Sequence, residues 1–118
     1  MKHNKKGRTL GRKKGQRTAL LRALARSLVM HEKITTTIAR AKELRPFVEQ
    51  LVTKAKKGDI NSRRLISRRL GGSADTVAKL HATIAPRYAA RAGGYTRIIK
   101  LGPVGKRMVD SAVIEFVQ

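Results

Sequence analysis

The chain has 118 residues, enough for one domain that could bury roughly two-thirds of the surface its unfolded form exposes. Twenty-eight Lys and Arg against seven Asp and Glu give a formal charge of +21, and a folded surface this small carries such self-repulsion only beside an extended polyanion. The absence of cysteine excludes a disulfide framework, a Cys-ligated zinc and a thiol nucleophile together, and no apolar run nears the ~20 residues of a bilayer span.

The N-terminus is basic, but no apolar stretch follows it, so a signal peptide is not expected and the cytoplasm is the expected compartment. Nucleic acid is the polyanion that fits. Phe47, Tyr88, Tyr95 and Phe116 are the whole aromatic set, too few for a module that reads single strands by stacking bases, so phosphates and the shape of folded helices are the expected targets.

Residues 1–17 hold Lys2, Lys5, Lys6, Arg8, Arg12, Lys13, Lys14 and Arg17, together with His3 and no acid. Eight cations so close together cannot pack without counter-charge, so this stretch reads as an extended basic arm that orders on nucleic acid. Removing it leaves +13 on residues 18–118, so the single domain that follows is itself basic. From Thr18 the pattern becomes helical: Leu21, Leu24, Ala25, Leu28 and Val29 form one stripe, with Arg22 and Arg26 a turn apart on its flank and His31 at its end. The β-branched run Ile34 to Thr37 suits a strand, after which Thr37 can cap a second helix carrying Ala41, Leu44, Val48, Leu51, Val52 and Ala55. Pro46 lies inside that stripe, which stays in phase across it and so predicts a bend rather than a break, and Gly58 marks the stop.

Asp59 is a candidate N-cap for a short third helix with Ile60, Leu65, Ile66 and Leu70 inside and Arg63, Arg64, Arg68 and Arg69 outside. Gly71-Gly72 ends it. A fourth helix with Val77, Leu80 and Ile84 in one stripe should stop near Ala85, because the residue before Pro86 is disfavoured in helical geometry. Beyond it a basic segment with Arg87 and Arg91 runs through Gly93-Gly94 into an alternating strand from Tyr95 to Leu101, in which Thr96, Ile98 and Lys100 face one side and Tyr95, Arg97, Ile99 and Leu101 the other. Each face mixes an apolar residue with a cation, as in a strand that packs on a helix while its cations reach a polyanion. Residues 102–110 read as a basic loop, and Ser111 to Val117 as a last strand in a hairpin with a long connection. The expected architecture is α+β in two layers: helix, strand, three helices, two strands, with a small three-stranded mixed sheet.

No catalytic constellation accompanies this frame. The acids are scattered, His3, His31 and His81 form no metal-ligand pair, and neither a phosphate-binding loop nor a nucleophile elbow is present. No enzymatic activity, metal, cofactor or small-molecule substrate is expected, and no symmetric seam suggests a homo-oligomer.

Several stretches together resemble bacterial large-subunit ribosomal protein seventeen over Met1 to Val117. They are Met1-Lys2-His3, Gly7-Arg8-Thr9-Leu10-Gly11-Arg12, Ile34-Thr35-Thr36-Thr37 followed by Ala41-Lys42-Glu43-Leu44-Arg45, Ala85-Pro86-Arg87-Tyr88, and Arg91-Ala92-Gly93-Gly94-Tyr95-Thr96-Arg97-Ile98. The sequence departs from the family pattern at Gly11, usually asparagine, and at Lys13-Lys14-Gly15-Gln16, usually richer in Ser, Asn and His. The resemblance implies a non-catalytic component of the large subunit, bound to its ribosomal RNA near the end of the nascent-chain tunnel and touching neighbouring ribosomal proteins. It implies that the arm cations and His3 enter RNA and that Arg91 to Arg97 belong to the RNA-facing surface. With the flank and loop groups, the expected RNA-binding set is Lys2, His3, Lys5, Lys6, Arg8, Arg12, Lys13, Lys14, Arg17, Arg22, Arg26, Arg63, Arg64, Arg87, Arg91, Gly93, Gly94, Tyr95, Arg97 and Lys100. The rival readings are a DNA-binding architectural or regulatory protein, in which the third helix would mimic a recognition helix, and a hydrolase acting on nucleic acid.

Overall fold

In the computed structural model, which describes Leu10 and residues 13–118, the stripe beginning at Leu21 folds as helix α1, Lys14–His31, burying Ala25, Leu28 and Val29. The helix starts four residues before Thr18, so Lys14 to Arg17, expected in the extended arm, are helical. Once the stripe has nucleated a helix, each further turn adds backbone bonds at little cost, here including Arg17 N–H to the Lys13 carbonyl at 2.8 Å. The rest of the expected arm, apart from Leu10 and Lys13, lies outside the described residues.

Strand β1, Lys33–Thr37, follows directly, and helix α2, Ile38–Lys57, begins with the Thr37 hydroxyl accepting from Arg40 N–H. One helix runs through Pro46, with Leu44 before it and Val48, Leu51, Val52 and Ala55 after it all buried. Gly58 closes it at φ 68°, a left-handed conformation glycine adopts without a Cβ penalty. In α3, Ile60–Arg69, the Asp59 carboxylate accepts from Ser62 N–H at 2.8 Å as the cap. Ile60, expected inside, is instead 66% exposed, because it occupies the first position of the helix beside the cap.

The next helix does not stop at Pro86. It begins as α4, Ala74–Lys79, widens into a π-helical turn at Leu80–Ile84, and ends in a single turn, α5, Ala85–Arg87. In the wide turn Ala85 N–H bonds the Leu80 carbonyl five residues back. An ordinary turn would drive the Pro86 ring into the carbonyl four residues before it, and the wider one relieves that clash.

All pairings in the sheet are antiparallel, in the order β1-β3-β2, with β2 at Thr96–Val104 and β3 at Val109–Phe116. The expectation of a mixed sheet is therefore corrected: β1 and β2 never meet, because β3 lies between them. β3 is the strand with the most to bury, Ala112, Ile114 and Phe116, and takes the centre. The long basic loop expected at 102–110 is also corrected, since both strands extend into it and only residues 105–108 form the turn. Gly102 and Pro103 read as loop residues, yet β2 is an edge strand, where proline is tolerated, and Gly102 at φ 79° follows a bulge that leaves Leu101 without a partner.

The helices cover one sheet face, where the cross-strand row Ile34, Ile114 and Ile98 meets the core and Tyr88, Tyr95 and Phe116 pack with ring centroids 5.1 and 6.3 Å apart. Glu32 ties the layers. It sits in left-handed geometry at the end of α1 (φ 64°), its carbonyl accepts from Phe116 N–H of β3, and its carboxylate meets Arg87 at 2.6 Å and Lys79 at 3.4 Å.

The Arg87 hydrogen bond, followed by the attraction of Arg87 and Lys79, outweighs desolvation and holds the Glu32 carboxyl below its ordinary 4.5. A depressed folded-state value stabilises the protein above pH 4.5, and that stabilisation is lost as pH falls through the lower value. Glu32→Gln should therefore melt below wild type at neutral pH, with the two melts converging as pH falls through the lowered value and the wild-type carboxylate takes up its proton.

Candidate nucleic-acid interface

Cations whose side chains the fold does not consume are the groups that can meet a polyanion, so the site is built by asking what each basic residue already holds. Arg22 and Arg26, on the flank of α1, face the end of α3 rather than solvent alone. Arg22 Nε donates to the Arg69 carbonyl at 3.1 Å and its Nη2 to the Arg68 carbonyl at 3.3 Å, and Arg26 Nη1 donates to the Leu70 carbonyl at 3.0 Å. They cap the negative end of α3, where carbonyls lack intrahelical partners. Each guanidinium retains further N–H groups that can meet a phosphate, but the first duty of both residues is structural. Arg87 likewise belongs to the Glu32 joint and lies over the Tyr88 ring at 6.0 Å.

Tyr95, expected on the binding surface, is 1% exposed. Its ring packs on Tyr88, and its hydroxyl is shared by Thr53 Oγ1 and Lys56 Nζ, each at 3.2 Å. The apolar body of the ring explains the burial, since a tyrosine goes inside once its hydroxyl has partners. It offers no ring face for a base to stack on.

Lys13, Lys14, Arg63, Arg64, Arg91 and Lys100 are exposed. Arg97 is exposed as well and forms a 2.7 Å ion pair with Glu115 on the sheet face opposite the helices. Arg17 is half-buried in the first turns of α1. Lys2, His3, Lys5, Lys6, Arg8 and Arg12 lie outside the described residues.

The loop entering β2 is shaped by its own atoms. Arg91 Nε donates to the Gly93 carbonyl at 3.1 Å, Gly94 turns at φ 64°, and Lys56 Nζ, from α2, bonds the Arg91 carbonyl. Glu49 anchors the start of the strand by accepting from Thr96 N–H at 3.2 Å and Thr96 Oγ1 at 2.8 Å, with Arg45 at 3.5 Å. Between this loop and α2 runs a groove of about 640 Å³, with Lys54, Lys57 and Arg69 among its lining groups.

Of the residues lining this groove, the binding set read from the sequence contains Gly93 and Tyr95 but not Lys54, Lys57 or Arg69. Lys54, Lys56 and Lys57 crowd the last turn of α2, a run of charge that the sequence reading passed over; only the fold brings α3 and the Gly93 loop beside it. His81, expected on a helix surface, is half-buried with Nε2 enclosed and unpartnered. Burial, then the charge of Arg63, hold its pKa below 6.5 against the Ala55 carbonyl. Among the described residues no cluster of three potential metal ligands exists, and no helix is long and apolar enough to cross a membrane.

A family model described as ribosomal protein L17 matches residues 20–117. The large ribosomal subunit protein bL17 of Sphingopyxis alaskensis is 51% identical over 117 residues, covering 99% of this chain and 84% of that protein. That of Pelobacter propionicus is 48% identical over 118 residues, covering 100% and 92%. The corresponding protein of an Exiguobacterium species is 47% identical over 112 residues, covering 92% of this chain and 96% of its own length.

Because Arg22 and Arg26 hold α3 while Arg64 is exposed, the two groups should respond differently to truncation. Arg22→Ala or Arg26→Ala should each cost about 1 kcal/mol of stability in denaturant unfolding, whereas Arg64→Ala should stay within about 0.5 kcal/mol of wild type.

Proposed function

The chain belongs to the ribosomal protein L17 family, and from that premise we propose that it is a structural constituent of the bacterial large ribosomal subunit that binds and stabilises folded ribosomal RNA. The observation that carries the RNA reading is charge. The chain has +21 to neutralise, and three of its seven acids are already committed to joints: Glu32 to Arg87 and Lys79, Glu49 to Thr96 and Arg45, Glu115 to Arg97. The exposed cations Lys13, Lys14, Arg63, Arg64, Arg91 and Lys100 are distributed over α1, α3, the loop before β2 and β2 itself. That spread suits several RNA helices packed around one small protein better than the single groove of a DNA duplex.

The basic residues 1–12 would extend this contact into the RNA. The family resemblance supports a position near the end of the nascent-chain tunnel. Neighbouring ribosomal proteins are proposed as further partners, and the apolar surface of the hairpin supports this: Ile99, Leu101, Val104, Met108 and Val109 are between 42% and 65% exposed. Exposed apolar groups gathered on one element are a common mark of a protein contact. A structural role without catalysis accords with the scatter of the acids and histidines.

Binding carried by phosphate neutralisation depends steeply on salt, with a slope of about 0.7–0.9 in log K against log salt for each contact. Residues 1–12 contain five Lys and Arg, so their removal should flatten the slope for large-subunit ribosomal RNA by up to about 4. At matched salt, the full chain should prefer that RNA to duplex DNA; equal affinities would favour the DNA-binding reading.

A further inference from the structure

We propose that the groove between α2 and the loop 92–95 seats one unpaired nucleotide of the bound RNA, with its base inside and its phosphate on the cations at the rim. The inference rests on the RNA-binding reading above and adds to it a defined subsite. Elsewhere the exposed cations offer point charges to a backbone, whereas here a concavity, apolar surface, a hydrogen-bonding amide and three cations converge.

Size and lining both fit this occupant. At about 640 Å³ the groove lies within the range of small-ligand sites, the size of a single nucleotide rather than a duplex. Pro46 and Ala92 give its lining apolar surface, against which the flat face of a base can lie. Gln50 supplies the polar discrimination: its Oε1 accepts from Arg69 Nη1 at 3.2 Å, which orients the amide and leaves its NH₂ to donate to a base edge.

Lys54, Lys57 and Arg69 supply the charge. The carboxylate on the wall, Glu49, already receives two hydrogen bonds from Thr96 and an ion pair from Arg45, so it opposes an incoming phosphate less than an unpaired acid would. Gly93 has open space where a Cβ would stand, and the wall there is backbone alone.

The shape is held before any ligand arrives. Lys56 bonds both the Arg91 carbonyl and the Tyr95 hydroxyl, and Thr53 shares that hydroxyl while donating to the Glu49 carbonyl. These bonds pin the loop to α2. A preformed seat for an extruded base avoids the ordering cost that a mobile loop would add, and unstacked bases are where proteins read RNA most specifically.

The test compares the full chain with Ala92→Phe and Gln50→Ala, each bound to large-subunit ribosomal RNA over a range of salt and probed for nucleotide reactivity. Ala92 is exposed, so a phenylalanine there fills the groove without entering the core, and thermal melts of both variants check that the fold is kept. If the groove holds a base, each variant loses at least about fivefold in affinity with an unchanged salt slope. The same single unpaired nucleotide, protected by wild type, becomes reactive with both. Lys54→Gln combined with Lys57→Gln should instead flatten the slope by up to about 2. Smaller losses for both Ala92→Phe and Gln50→Ala, protection confined to paired nucleotides, or a photo-cross-linker at position 50 that captures a protein in intact subunits would overturn the proposal while leaving RNA binding in place. Wild-type protein that shows no salt-dependent affinity for this RNA would overturn the RNA-binding reading itself.

Discussion

Seven carboxylates have to serve twenty-eight cations in this chain, and the fold depends on where those few negative charges stand. Four of them mark places where the chain changes direction or where elements meet. Glu32 joins the end of α1 to α4 and α5, Glu49 ties α2 to the first residue of β2, Asp59 starts α3, and Glu115 links the two strands of the hairpin through Arg97. Where no acid is at hand, backbone carbonyls stand in, as at the end of α3, which takes Arg22 and Arg26. Anionic groups are thus spent on architecture, and most of the positive charge is left facing outwards. The same scarcity that makes the body basic makes each internal ion pair costly to lose, because few alternatives lie within reach.

Much of the fold is legible in the residues because the signals that set it are local. Thr37 and Asp59 cap the helices they precede, Gly58 ends α2 in left-handed geometry, and the stripe from Leu44 to Ala55 stays buried across Pro46. Two of the misread parts share one physical cause: a glycine or proline was taken as punctuation when its neighbours could accommodate it. Pro86 is absorbed by a π-turn, and Gly102 and Pro103 by a bulge on an edge strand. The sheet was misjudged for another reason. Which strand lies in the centre is decided by how much each can bury, and the row Ala112, Ile114 and Phe116 competes with β1 and β2 only in three dimensions.

The candidate surface was legible in its charge but not in its division of labour. A sequence shows that Arg22, Arg26 and Arg87 are cations; that they hold carbonyls and Glu32 depends on contacts across 44 to 55 positions of chain, as Arg26 to Leu70 and Arg87 to Glu32 illustrate. Tyr95 was placed on the RNA-facing surface with Arg91 to Arg97 by the family resemblance, while its burial follows from partners 42 and 39 positions away, Thr53 and Lys56. Conversely, the groove of Lys54, Lys57 and Arg69 comes together only when α3 and the Gly93 loop pack on α2.

Whether this scaffold is strained by its own charge, as its proposed relief by a polyanion requires, is tested most directly by the thermal midpoint of the isolated full chain as a function of ionic strength. Raising potassium chloride from about 0.05 M to about 1 M shrinks the screening length from over 10 Å to about 3 Å. If unrelieved repulsion dominates, the midpoint should rise by about 5 °C or more. A midpoint that stays level or falls over that range would show that the ion pairs at the joints outweigh the repulsion, and would contradict the claim that this fold is completed by an external polyanion.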